Sequence, residues 1–205
     1  MTDTMRAITL MVFAMFLFTV ADLFVKLASQ SLSPWLVVFL MGFGTASVFL
    51  IALWVSGQKI YKSSYLHWTV FLRLVGEVIA ALAIIAALSV VPLATVTAVL
   101  QSQPLLLTAA GALFLGEKVG PRRTFAVLLG FIGVMVIMRP TQDGFTIFSM
   151  LVLLSVVGMT IRDVGSRIVP AHIPTLVIAF YGASAVAVVG GIMMVVSNQL
   201  YLPQG

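Results

Sequence analysis

Apolar residues run along this chain in seven stretches joined by short polar connections: Ala7–Val25, Trp35–Val55, Trp68–Val91, Leu93–Leu115, Thr124–Met138, Phe145–Ile161 and Ile173–Val196. A helix that crosses a bilayer needs about 20 such residues, within a range of about 17 to 25. The pattern therefore predicts an all-α integral membrane protein of about seven transmembrane helices. Thr124–Met138 is short, but Arg123 and Arg139 extend it by laying their methylene stems along the apolar zone. The first stretch follows Arg6 and is longer than the roughly 7 to 15 apolar residues of a signal peptide, with no clear small-x-small cleavage site after it. It reads as an uncleaved first helix.

Composition agrees with that pattern. Of 205 residues, 61% are hydrophobic and 8% charged, and the mean hydropathy is +1.19; a soluble domain carries about 25% charge. The net charge of +5 comes from 11 basic residues spread singly between apolar runs, which make no continuous phosphate-binding face. Nucleic acid is therefore not an expected partner; the lipid bilayer is. Cysteine is absent, which excludes disulfides and thiolate metal sites, and no cofactor is expected.

Short connections make the helices run up and down, so the Lys/Arg bias sets their orientation. With the N-terminus inside, Arg6, Lys59, Lys62, Lys118, Arg122, Arg123, Arg162 and Arg167 fall on cytoplasmic ends, against Lys26 and Arg139 outside, with Arg73 inside a helix. Eight against two predicts a cytoplasmic N-terminus. Trp35 and Trp68 stand at helix starts, as interfacial aromatics do.

Polar groups inside the spans are the candidates for chemistry. Thr97, Gln101 and Thr108, with Pro104 among them, recur at helical spacing on the fourth span and share one of its faces. Such groups face protein or water, not lipid, and serve either as a substrate pocket or as interhelical glue worth about 0.6 to 2 kcal/mol per contact. The span ends in Gly116-Glu117-Lys118, a tight turn with Pro121 near the next helix start.

Two charged pairs also lie within spans. Asp22 and Lys26 are i,i+4 near the outer end of the first, and the simple reading is a self-neutralising pair. Arg73 and Glu77 are i,i+4 in the third. Glu77 lies roughly 14 Å beyond Trp68 at 1.5 Å per residue, where a carboxylate must be paired, protonated or solvated. It is a candidate cation or proton site.

The chain also repeats itself. Asp22-x3-Lys26, Pro34-x-Leu36-Val37 and Gly42 are echoed by Asp163-x3-Arg167, Pro174-x-Leu176-Val177 and Gly182, an offset of about 140 residues. Five spans separate the copies, and an odd number inverts the second in the membrane. Secondary transporters use this inverted repeat, with substrate near the midplane between the copies. Two units would need about 280 residues, so the sequence reads as C-terminally truncated. The inverted partner of the Gln101–Glu117 segment would be among the missing helices.

The stretch PLATVTAVLQSQPLLLTAAGALFLGEKVGPRR, followed by GFIGVMVIMRP, resembles the end of an EamA-like repeat of the drug/metabolite transporter superfamily. Its features are Pro104 in an apolar run, the Gly116-Glu117 turn, and a fifth helix with Gly130 and Gly133. The resemblance implies one complete five-helix repeat over residues 1–140 and an incomplete second over 141–205. It also implies a carrier in the bacterial inner membrane, an exporter of a small organic metabolite working by alternating access. On that reading Gln101 and Thr97 hydrogen-bond the substrate, Glu77 is the ion or proton site and Asp22 a weaker candidate, while Glu117 belongs to the turn.

A second reading is a non-transporting module that completes itself with another chain or with a second copy as a homo-oligomer. An enzyme ranks behind both. His67 and His172 lie in connections, with no His-Glu-x-x-His or Gly-x-Ser-x-Gly motif to use them. The small residues Gly182–Ala185, Gly190 and Gly191 read as close helix packing in every case.

Overall fold

The computed structural model describes residues 3–138 and 147–197. Arg139, Phe145 and the tail after Ser197, all used in reading the sequence, lie outside the described residues. Among the described residues eight α-helices are formed: α1 (Asp3–Ser31), α2 (Pro34–Val55), α3 (Trp68–Val90), α4 (Leu93–Leu100), α5 (Gln103–Phe114), α6 (Pro121–Met138), α7 (Ile147–Ile168) and α8 (Thr175–Val196). Because α4 and α5 are two parts of one span, they make seven segments. Among the described residues, five of these are long and apolar enough to cross a membrane: Thr4–Ser31, Pro34–Val55, Trp68–Val90, Leu93–Phe114 and Thr175–Val196. The fold is that of an all-α, multi-pass membrane protein.

The helix ends follow from local chemistry. Ser33 caps α2 by accepting from the Leu36 N–H at 3.3 Å, with Pro34 in the first turn, where its missing N–H costs nothing. His67 caps α3 through Nδ1, which accepts from the Thr69 N–H at 3.4 Å. Gly116 takes φ +66° just beyond α5, a conformation open to glycine, and Pro121 begins α6. Both were expected at these positions.

Two boundaries differ from the apolar pattern. The sixth stretch ends at Ile161, yet α7 continues to Ile168 and takes Arg162, Asp163 and Arg167 into the helix. Arg162 is therefore a helical residue and not a loop anchor. The first stretch ends at Val25, yet α1 continues through Lys26 to Ser31. The apolar stretches end at Lys26 and Arg162, whereas a backbone already satisfied by i→i−4 bonds continues through a charged side chain.

Glycine lets the helices meet closely. A Cβ on Gly42 of α2 would stand 2.5 Å from the Ala187 nitrogen of α8, and one on Gly158 of α7 would stand 2.6 Å from the Ala80 nitrogen of α3. In lipid, helices associate by such packing and by polar contacts, since the tails are as apolar as leucine. Two apolar clusters result. One gathers Val38, Leu88, Val96, Val99, Val152 and Val186, and the other Leu53, Tyr65, Val70, Ile173, Val177 and Ile178. Along α3 and α8 a polar segment falls between them, at Arg73 and Glu77 on the first and Gly182 on the second.

Candidate functional site

On α3, Arg73 and Glu77 are one turn apart, and Arg73 Nη1 lies 3.2 Å from Glu77 Oε2. The expected intrahelical pair is present, but it belongs to a larger cluster. Arg162 of α7 places Nη1 3.6 Å from the other carboxylate oxygen of Glu77, and its Nε donates to Asp163 Oδ1 at 2.9 Å. Gln103, the first residue of α5, donates from Nε2 to Asp163 Oδ2 at 2.6 Å. Arg73 Nε donates to Ser166 Oγ at 3.0 Å and Nη1 reaches the Ile178 carbonyl at 3.5 Å. Two cations and two anions thus share one network across α3, α5, α7 and α8.

Burial and charge balance explain why this is stable. The side chains of Arg73 and Glu77 are 16% and 25% exposed, and those of Arg162 and Asp163 both 28%. A single charge at that depth is costly, and a neutral set of four that pairs its charges is less so. The small residue at Gly182 makes room, because a Cβ there would come within 3.0 Å of Arg73 Nη1 and 3.3 Å of Glu77 Oε2.

The other sequence candidates lie elsewhere. Gln101 follows the end of α4, is exposed, and makes no side-chain hydrogen bond among the described residues. Thr97 turns its hydroxyl onto the Ala94 carbonyl of its own helix at 3.1 Å, and Thr108 onto the Pro104 carbonyl at 2.8 Å. Asp22 is half-buried, with no ion pair or hydrogen bond from its side chain among the described residues. Its supposed partner Lys26 is engaged elsewhere: Nζ donates to the carbonyls of Leu88 at 2.6 Å and Val91 at 3.0 Å. The Asp22–Lys26 pair is thus corrected, because carbonyls at the end of α3 hold the ammonium instead.

Gln103, Arg162, Asp163 and Ser166 were not singled out as site residues. Gln101 and Gln103 are two apart and so face opposite sides of a helix, and only the second faces α7. A local signal did exist, a glutamine beside Pro104 and an Arg-Asp pair inside an apolar run. Their meeting across 60 residues left no trace in spacing.

Glu117 accepts from Arg167 Nη1 at 2.7 Å, tying the turn after α5 to the end of α7. His172 Nε2 lies 3.3 Å from the Ser64 carbonyl. Among the described residues, no group of three or more His, Asp or Glu is placed to hold a metal ion. An apolar groove of about 600 Å³ lies between α2 and α8, lined by residues such as Phe39, Phe43 and Gly191, and it does not include the charge cluster.

Comparison with known proteins adds a family. Residues 5–139 match the model of the EamA-like transporter family, which is more than half of the chain. A riboflavin transporter of Rhizobium johnstonii is 36% identical over 77 residues, 38% of this chain and 26% of that protein. One of Brucella anthropi is 38% identical over 69 residues, 34% and 24% of the two chains. One of Vibrio cholerae is 44% identical over 61 residues, 30% and 20%. The matched stretches therefore span only 20% to 26% of the length of these relatives. No solved structure matches the chain.

Proposed function

From the premise that the chain belongs to the EamA-like transporter family, we propose that it is a secondary carrier moving a small organic metabolite across a bacterial inner membrane by alternating access. The observation that carries this reading is the Arg73–Glu77–Arg162–Asp163 cluster. It puts a charge-neutral polar network inside an otherwise apolar bundle. Intramembrane ionisable groups mark substrate and ion pathways, and this one joins the family-matched helices to α7.

In this reading residues 1–140 and 141–205 are a five-helix repeat and the start of its inverted copy. The two rock about a site near the membrane midplane. Glu77 serves as the ion or proton site, Gln101 and Thr97 offer hydrogen bonds to the substrate from the exposed side of the α4–α5 break, and Asp22 is a secondary candidate. The riboflavin transporters among the relatives make riboflavin the first substrate to try. Its uncharged heterocycle and hydroxyl chain suit amide and hydroxyl partners better than a fixed charge.

The test is riboflavin flux in liposomes carrying the purified protein, followed by fluorescence in both vesicle orientations to read direction. Saturable flux that Glu77→Gln and Gln101→Ala both reduce supports the carrier and its site. Flux that neither changes sinks the site, and no flux of riboflavin or of a metabolite panel sinks the carrier. A second reading, a module completed by a partner chain, is favoured by exposed Gln101 alone, since an amide within the bilayer needs a protein or water neighbour. Its signature is a stable oligomer with no flux.

A further inference from the structure

The break between α4 and α5 is satisfied locally. Ser102 is buried and its hydroxyl donates to the Val99 carbonyl at 2.6 Å, while its own carbonyl accepts from the N–H groups of Leu105 at 3.0 Å and Leu106 at 3.2 Å. Pro104, in the first turn of α5, has no N–H to leave stranded. The two half-helices therefore need no outside group to remain broken, and the neighbours that hold each half, α6 and α7, set the angle between them.

What grips α5 at the break is Gln103, through the 2.6 Å bond from Nε2 to Asp163 Oδ2. Asp163 is in turn the end of a chain of contacts: Arg162 Nε at 2.9 Å, then Arg162 Nη1 to Glu77 at 3.6 Å, then Glu77 to Arg73 at 3.2 Å. Arg162 is shared unequally between two carboxylates, close to Asp163 and looser on Glu77. Any cation or proton that neutralises Glu77 hands Arg162 wholly to Asp163. A change at Asp163 reaches the break through one amide.

We propose that Gln103 is a positioning residue that couples the α4–α5 break to the charge cluster, so that the surroundings of Gln101, on the far side of the break, follow the state of Asp163. This rests on the carrier reading for its purpose but not for its existence. In a carrier it links occupancy of the Glu77 site to the wall that Gln101 and Thr97 form.

The test uses the absence of cysteine from the chain. Gln101→Cys is introduced as the sole thiol, and its rate of reaction with N-ethylmaleimide is measured in native membranes. Gln103→Leu, which keeps the bulk and removes the amide, changes that rate by about threefold or more, the range of an interhelical hydrogen bond in a membrane. Gln103→Glu, which sets a carboxylate against Asp163, changes it as well. Adding Asp163→Asn to Gln103→Glu restores a carboxylate–amide bond of reversed polarity, and the rate returns toward the parent value.

Equal rates in the parent and Gln103→Leu, including no reaction in either, overturn the coupling. So does a double variant no closer to the parent than Gln103→Glu alone. Should Gln103→Glu fail to accumulate, Gln103→Leu still decides. Labelling needs no substrate, so the two readings fail separately. Altered labelling without flux removes the carrier and keeps the coupling, and flux with unaltered labelling removes only the coupling.

Discussion

The ammonium of Lys26 donates to the carbonyl of Leu88 at 2.6 Å and so closes the end of α3 from α1. Carbonyls in the last turn of a helix lack intrahelical donors and carry the negative end of its dipole, so a cation there does the work of a cap. With the Val91 carbonyl 3.0 Å away, one side chain satisfies two acceptors beside Pro92.

Lys26→Met keeps the apolar stem and removes both bonds. Hydrogen bonds to a charged group contribute about 1.5 to 3 kcal/mol each, so the variant should lose at least about 2 kcal/mol, read as a lower thermal unfolding midpoint in detergent. Asp22→Asn, which breaks no contact among the described residues, should leave that midpoint almost unchanged. A larger loss from Asp22→Asn than from Lys26→Met would mean that the two residues depend on each other after all.

The charge cluster should behave as a unit. Removing one partner strands the other in a poor dielectric, whereas removing both does not. Glu77→Gln and Arg162→Gln should each destabilise, and the double variant should cost less than their sum by about 0.5 to 3 kcal/mol. The cycle is measured by thermal or denaturant unfolding in detergent. Additive losses would show that the 3.6 Å contact between them has no energetic weight.

Close packing of α2 on α8 gives a contrast within one helix. A Cβ at Gly42 would stand 2.5 Å from backbone of Ala187, but at Gly44 it meets nothing within 4 Å. Gly42→Ala should cost about 1 to 3 kcal/mol through overpacking, while Gly44→Ala should be neutral or gain up to about 1 kcal/mol from helix propensity. Unfolding midpoints of the two variants in the same detergent check this. Equal effects would place the α2–α8 contact elsewhere.

These residues also show how far the sequence alone reaches. The stop at Gly116 and the start at Pro121 are local signals, and the structure places them where local chemistry puts them. Arg73 and Glu77 are readable as a pair because i,i+4 neighbours meet on any helix. Their bond to Arg162 was hidden for a definite reason. A hydropathy boundary at Ile161 pushed Arg162 into a loop, and only the contact with α3 shows why the helix keeps it. Lys26 was misassigned similarly, since a nearby Asp22 looks like a partner until the end of α3 supplies better ones. Gln103 was passed over for Gln101 because a shared helical face favours the residue at the regular spacing, and a broken helix has two faces to consider.

Moving Arg162 into α7 changes the orientation argument without reversing it. Arg6, Lys59, Lys62, Lys118, Arg122, Arg123 and Arg167 still gather on one side, and Lys26 no longer counts as a loop charge because it is bound at the end of α3. The positive-inside rule predicts that this side is cytoplasmic. The connection between α2 and α3 is the best place to check, since it carries Lys59 and Lys62 and turns at Gly57 with φ +64°. Gln58→Cys, the sole thiol in this chain, should resist a membrane-impermeant maleimide in intact cells and react in inverted vesicles. Reaction in intact cells would place the N-terminus outside, and with it the Arg73–Glu77 cluster in the outer half of the bilayer.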